Sequence, residues 1–89
     1  MKGIITVVGK DKVGIIARVC TLLSEESINI LDISQTILQG YFNMMMIVDI
    51  SEANGRFNEL VDKLSELGKS LEVDIKLQHE DIFDCMHRI

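Results

Sequence analysis

The chain is poor in the residues on which most small-protein chemistry depends. Two cysteines, Cys20 and Cys85, are all that 89 residues contain. They supply neither a disulfide framework nor a C-x-x-C pair, which excludes a thiol-based metal chaperone. Aromatic residues make up 4%, and an RNA platform needs exposed aromatics on its central strands for bases to stack on. The net charge of −5 argues against a polyanion as partner, because nucleic-acid binding requires a basic stripe. No apolar run is long enough to span a bilayer and no signal peptide is recognisable, so the expectation is a reduced, cytoplasmic protein without a membrane partner. The two histidines, His79 and His87, lie near the end of the sequence. Cys20 falls on the apolar stripe of a helix, where burial makes a small core residue rather than a reactive thiol. With no acid–base pair recognisable by spacing, no enzyme activity and no cofactor are expected.

What is present is a folding sequence. Hydrophobic residues at 47% and charged residues at 26% indicate a globular chain. Its length suits one domain, residues 1–89, near the size at which oligomerisation often supplements a single core.

Six elements are predicted in succession. Lys2 to Val8 is a strand with apolar residues on both faces. Lys12 to Ser27 is a helix, with Ile16, Val19, Cys20 and Leu23 at helical spacing. Ile30 to Leu38 is a second strand, and Gln39-Gly40 turns the chain into a third, Tyr41 to Ile50. Asn54 is placed to cap a second helix, in which Phe57, Leu60, Val61, Leu64 and Leu67 make one apolar stripe. Gly68 is placed to end that helix. Leu71 to Gln78 then alternates strictly, with Leu71, Val73, Ile75 and Leu77 on one face.

The order βαββαβ is that of a ferredoxin-like α+β sandwich. Strands one and three are apolar on both faces and belong in the centre; strands two and four belong at the edges. The expected antiparallel sheet order is 4-1-3-2, with both helices on one face. Tyr41, Met45 and Ile47 then point to the helix-free side and need a cover, for which a second subunit is an economical candidate. A homodimer is expected, either through strand-two edges or through stacked helix-free faces.

Gly9 to Gly14 links the first strand to the first helix, and such a turn presents backbone N–H groups suited to a small anion. It has the G-x4-G spacing of a phosphate loop, yet Ile15 and Ile16 stand where that loop requires Lys and Ser or Thr. The segments VVGKDKVGI and INILDISQT together resemble ACT domains, regulatory modules that commonly bind amino acids. The resemblance covers the whole chain. QHEDIFDCMHRI is similar to the ending of small stand-alone ACT proteins, and the N-terminal half to the ACT regions of formyltetrahydrofolate deformylases and glycine-cleavage regulatory proteins.

The resemblance implies a ligand site. Asp11, Gly14 and Asn29 match positions that commonly line the pocket, with Lys12 and Val13 contributing amides between them and Asp32 following on the strand. Two positions depart from the pattern: Gly9 stands where many amino-acid binders have His, and Val13 where many have Pro. Each residue also has a structural reading. Asp11 suits an N-cap favoured by the helix dipole. Gly14 allows close approach of helix to sheet, Asn29 can bond nearby backbone, and Asp32 suits a solvated edge strand.

The tail from His79 to Ile89 reads as a short amphipathic helix, residues 80–89, with Ile82, Phe83, Met86 and Ile89 on its apolar side. That side is expected to dock on its own domain or on a partner subunit. Glu80, Asp84 and His87 on the other side lack a diagnostic metal spacing and suit the helix ends instead, so no metal is expected. Two functional classes remain. One is a regulatory module that binds an amino acid and acts on a protein partner in trans; the other is a structural adaptor dimer without a metabolite.

Overall fold

The computed structural model describes residues 2–10, 13–51 and 55–79. They form β1 (Lys2–Lys10), α1 (Ile15–Glu25), β2 (Asn29–Leu38), β3 (Tyr41–Asp49), α2 (Phe57–Leu71) and β4 (Val73–His79). The four strands make one antiparallel sheet in the order β2-β3-β1-β4. The expected ferredoxin-like topology is therefore present, with β1 and β3 central.

Opposed residues on neighbouring strands share a face of the sheet, so the registers sort the side chains. Ile5 and Val7 lie opposite Met46 and Met44 on one side and Leu77 and Ile75 on the other. All six are buried, in one core with Ile15, Val19 and Leu23 of α1 and Leu60, Leu64, Leu67 and Leu71 of α2. Fully burying one such aliphatic side chain contributes about 1.5–3 kcal/mol. Among the described residues no polar or charged residue is buried, so apolar packing specifies this interior. Between β2 and β3, Gln39 and Gly40 take φ of 53° and 82°, the paired positive values of a two-residue hairpin turn.

The expected helix boundaries move, and strand ends shift by one or two residues. The first helix begins at Ile15, not Lys12, because Gly14 at φ 92° is left-handed and cannot lie inside a right-handed helix. The helix ends earlier than Ser27, which is itself left-handed at φ 60°. There the N–H groups of Ser27 and Ile28 donate to the carbonyls of Ser24 and Leu23 at 3.1 and 2.8 Å, closing α1 with a Schellman turn.

The second helix runs through Gly68 to Leu71, and left-handed Glu72 (φ 59°) terminates it. Leu71 satisfies two periods at once: it alternates with Val73, and it also continues the Leu60, Leu64, Leu67 stripe. Helical packing wins. At the other end Arg56 holds the N-cap position, and Asn54 lies outside the described residues.

Glu26, just past α1, ties the two helices together. Its carboxylate accepts from Lys63 Nζ at 2.8 Å and from Arg56 Nη1 at 3.2 Å. The hydrogen bond from Lys63, aided by both positive charges, holds the Glu26 carboxyl below the usual glutamate range. A carboxyl whose pKa is lower folded than unfolded stabilises fully above its unfolded value and loses that contribution as pH falls through the folded one. Glu26→Gln should therefore flatten the acid side of the stability profile below about pH 5 and leave its shape near neutrality unchanged. Urea melts across pH provide the check.

Candidate functional site

The strand-to-helix turn becomes a concavity through the unusual start of α1. Gly14 is the N-cap, and it carries no side-chain capping bond. Its carbonyl accepts the first helical bond, from Arg18 N–H at 2.9 Å. The N–H groups of Ile15, Ile16 and Ala17 precede that bond and have no acceptor within the helix, so the positive end of the α1 dipole lies here. Gly14, Ile15, Ile16, Ala17, Gln35, Ile37 and Phe42 line a concavity of about 240 Å³ there. Val13 beside it is fully exposed. Asp11 and Lys12 lie outside the described residues.

Gln35 and Ile37 reach this concavity because β2 carries a bulge. The register with β3 shifts between Ile30 and Asp32, so Ile30, Ile33, Gln35 and Ile37 oppose Val48, Met46, Met44 and Phe42 on the helix side. Simple alternation from Ile30 puts Gln35 and Ile37 on the other face, which is why the sequence reading missed both. The extra residue, Leu31, has no signature of its own in the sequence. Beyond the bulge, Asp32 faces the helix-free side. With Ser34, Met45 and Ile47 it lines a small concavity of about 110 Å³ there, and its Oδ1 accepts the Ile33 N–H at 2.9 Å.

Asn29 lies at the far end of α1 from Gly14. Eleven helical residues separate the two ends, a span of about 16 Å. Around Asn29 is an open concavity of about 440 Å³ lined by Cys20, Ser24, Ser27, Ile28, Asn29 and Ile30. Cys20 is half-buried, packed on the core and bordering this second concavity, rather than enclosed in the interior. Within one subunit the structure thus keeps Gly14, Asn29 and Asp32 apart, in three different places.

Among the described residues, no strand lies beside the outer edge of β2. Every residue from 31 to 40 is exposed, including Leu31, Ile33, Ile37 and Leu38. An edge strand this long and apolar is a template for pairing. Among the described residues no group of three or more His, Cys, Asp or Glu is placed to hold a metal ion. No helix among them is long and apolar enough to cross a membrane. Glu80, Asp84 and His87 fall outside the described residues.

A family model described as ACT domain matches residues 3–78. The chain belongs to the ACT domain family. It is 60% identical over 88 residues to a UPF0237 protein of Bifidobacterium longum (strain NCC 2705), covering 99% of this chain and 98% of that one. A solved ACT domain protein from Streptococcus pneumoniae superposes with a TM-score of 0.83 at 46% identity, covering 94% of each chain. The regulatory subunit of aspartate kinase from Thermus flavus shares the fold, with a TM-score of 0.66 at 22% identity over 88% of this chain and 51% of that one. ACT domains are generally regulatory modules that bind small molecules, and no catalytic family is indicated for this one.

Proposed function

We propose that this ACT domain is a regulatory homodimer joined along β2 that binds an amino acid or similar small carboxylate between its subunits and acts on a protein partner in trans. The observation that carries the reading is the placement of the concavity at the start of α1 beside the β2 edge, which no described strand pairs. β2 runs ten residues from Asn29 to Leu38. Antiparallel pairing of two such edges about a two-fold near Ile33 and Ser34 sets Asn29 of the partner subunit beside Ile37 or Leu38. The two half-sites at opposite ends of α1 then complement each other across the interface.

In this arrangement the ligand carboxylate takes the amides that follow Gly14, and Ile37 and Phe42 supply an apolar wall. Gln35 and the partner's Asn29 have side-chain amides that can bond either the carboxylate or the ammonium. Asp11 is a candidate for pairing the ammonium, with Lys12 and Val13 continuing the turn. Asp32, on the other face of the sheet, contributes to the edge and not to this pocket.

Calorimetry and thermal shift against the twenty amino acids test the proposal, because a ligand that binds only the native state raises its melting temperature by mass action. Asn29→Ala should weaken binding by about 1–3 kcal/mol, the scale of one unsatisfied polar partner. Gly14→Val should abolish it through the backbone. A side chain at Gly14 meets nothing within 4 Å, but φ of +92° is a conformation that valine resists, so the amides would be re-aimed. A ligand that binds the native protein and both variants equally well lies elsewhere. If none of the twenty binds, the adaptor dimer without a metabolite becomes the better reading.

A further inference from the structure

The corner between α1 and β2 is held by more than its backbone turn. Glu26 is the C-cap of α1, and its two carboxylate oxygens have different partners on α2. Oε1 accepts from Arg56 Nη1 at 3.2 Å and Oε2 from Lys63 Nζ at 2.8 Å. Arg56 is the N-cap of α2, and Lys63 follows about two helical turns later, so both stand on one side of that helix. A carboxylate gripped from two points along an axis has little freedom to turn or slide. It is also the sheltered member of the group: the Glu26 side chain is 14% exposed, against 40% for Arg56 and 48% for Lys63.

The residues after Glu26 form the wall of a concavity. Ser27 is left-handed at φ 60°. Ile28 is buried, and its N–H donates to the Leu23 carbonyl at 2.8 Å. Ser27, Ile28, Asn29 and Ile30, together with Cys20 and Ser24, line the space of about 440 Å³. Only Ser27 and Ile28 separate the clamped residue from Asn29, at most about 11 Å of chain.

We propose that Glu26 is the positioning residue of this concavity: gripped by Arg56 and Lys63, it fixes the wall from Ser27 to Ile30, and with it Asn29, against α2. The part of Asn29 in binding rests on the amino-acid reading above; the fixing of the wall does not. Ion pairs as accessible as these add little to global stability, so the effect is local. A neutral amide is no substitute, because its NH2 end offers no lone pair to either cation. Coupling between sites is reciprocal. A clamp that strengthens binding at Asn29 is itself tightened by the bound ligand, and α2 then registers occupancy through Lys63 and Arg56.

Amide hydrogen exchange on the full chain is the first measurement. Glu26→Gln and Lys63→Met should each quicken exchange at Ser27 and Ile28 several-fold more than at Ile5 and Val7 in the centre of the sheet. Lys63→Arg, which keeps a charge on the carboxylate, should exchange as the native protein does. Corner exchange that is unchanged, or that rises no more than at Ile5 and Val7, overturns the proposal. The second measurement is calorimetry with whichever of the twenty amino acids the native protein binds. Glu26→Gln should raise its dissociation constant about 2- to 30-fold, the scale on which residues act on a site through packed neighbours. In an Asn29→Ala background the same change should add nothing, because Glu26 acts through Asn29. A full additional loss there, or an unchanged constant in Glu26→Gln alone, overturns the link to Asn29. If none of the twenty binds, the amino-acid reading fails by itself, and the exchange data still decide whether Glu26 holds the wall. Should Glu26→Gln not fold, Lys63→Met carries both measurements with the carboxylate in place.

Discussion

Gly68→Ala should destabilise the protein by about 1–3 kcal/mol, the opposite sign to that expected for a glycine in an exposed helix. Replacing an interior helical glycine by alanine ordinarily gains about 1 kcal/mol from propensity. Gly68, however, is buried on the side of α2 that faces β4. A Cβ there would stand 2.7 Å from the Val73 carbonyl oxygen and 3.3 Å from Ile75 Cγ1. The carbonyl is backbone in a paired strand and cannot swing aside as a side-chain end can. Either α2 lifts from the sheet, loosening Leu64, Leu67 and Leu71, or β4 shifts against β1. Gly68→Val should cost more, about 3 kcal/mol or beyond, lowering the melting temperature by more than about 10 °C for a domain of this size. Ser65→Ala, exposed on the same helix, is the control and should be neutral or slightly stabilising. Thermal melts of the three variants decide it; a more stable Gly68→Ala would mean that helix and strand are not in close contact here.

That glycine marks where the sequence stopped being legible. Element order, sheet order and the face assignments of β1 and β3 could be read from the amino acids, because each rests on a local period that burial enforces. Phe42, Met44, Met46 and Val48 alternate with Tyr41, Met45 and Ile47, and the structure buries the first set as expected. Gly68 reads in the sequence as the end of the helix and lies inside it instead, since a glycine that ends a helix and one that lets a strand approach it look alike without the partner strand. Leu71 reads as the start of the fourth strand and is the last residue of α2 instead, because it also continues the helical stripe. The site was less legible still. Gly14 and the open helix end were visible as a turn, but Gln35 and Ile37 depend on a one-residue bulge at Leu31 that reverses the parity of β2. Asn29 could be named but not positioned: 11 residues of helix separate its end of α1 from Gly14.

If the protein pairs along β2 and binds its ligand between subunits as proposed, Ile33→Lys should give a folded monomer and abolish ligand binding in the same step. Ile33 is near the middle of the free β2 edge, on the helix side, and 41% exposed. In a two-fold arrangement each substitution occurs twice, and near the axis the two lysines approach one another. Charged residues, lysine above all, are what natural edge strands use to prevent pairing. Losing two apolar contacts and adding like charges should raise the dissociation constant at least ~100-fold, about 2.7 kcal/mol. The subunit itself should stay folded, because the buried core contains no residue from 31 to 40. Met45→Glu separates the alternatives: it leaves an edge-paired dimer largely intact and breaks a face-packed one. Light scattering at micromolar concentration reads both variants, and a native protein that is already monomeric there sinks either geometry. Calorimetry on Ile33→Lys then asks the functional question. Every residue lining the α1 concavity of one subunit is unchanged in that variant, so undiminished binding by a monomer would place the whole site within a single chain. Loss of binding together with loss of the dimer is the result expected if Asn29 completes the pocket from across the interface.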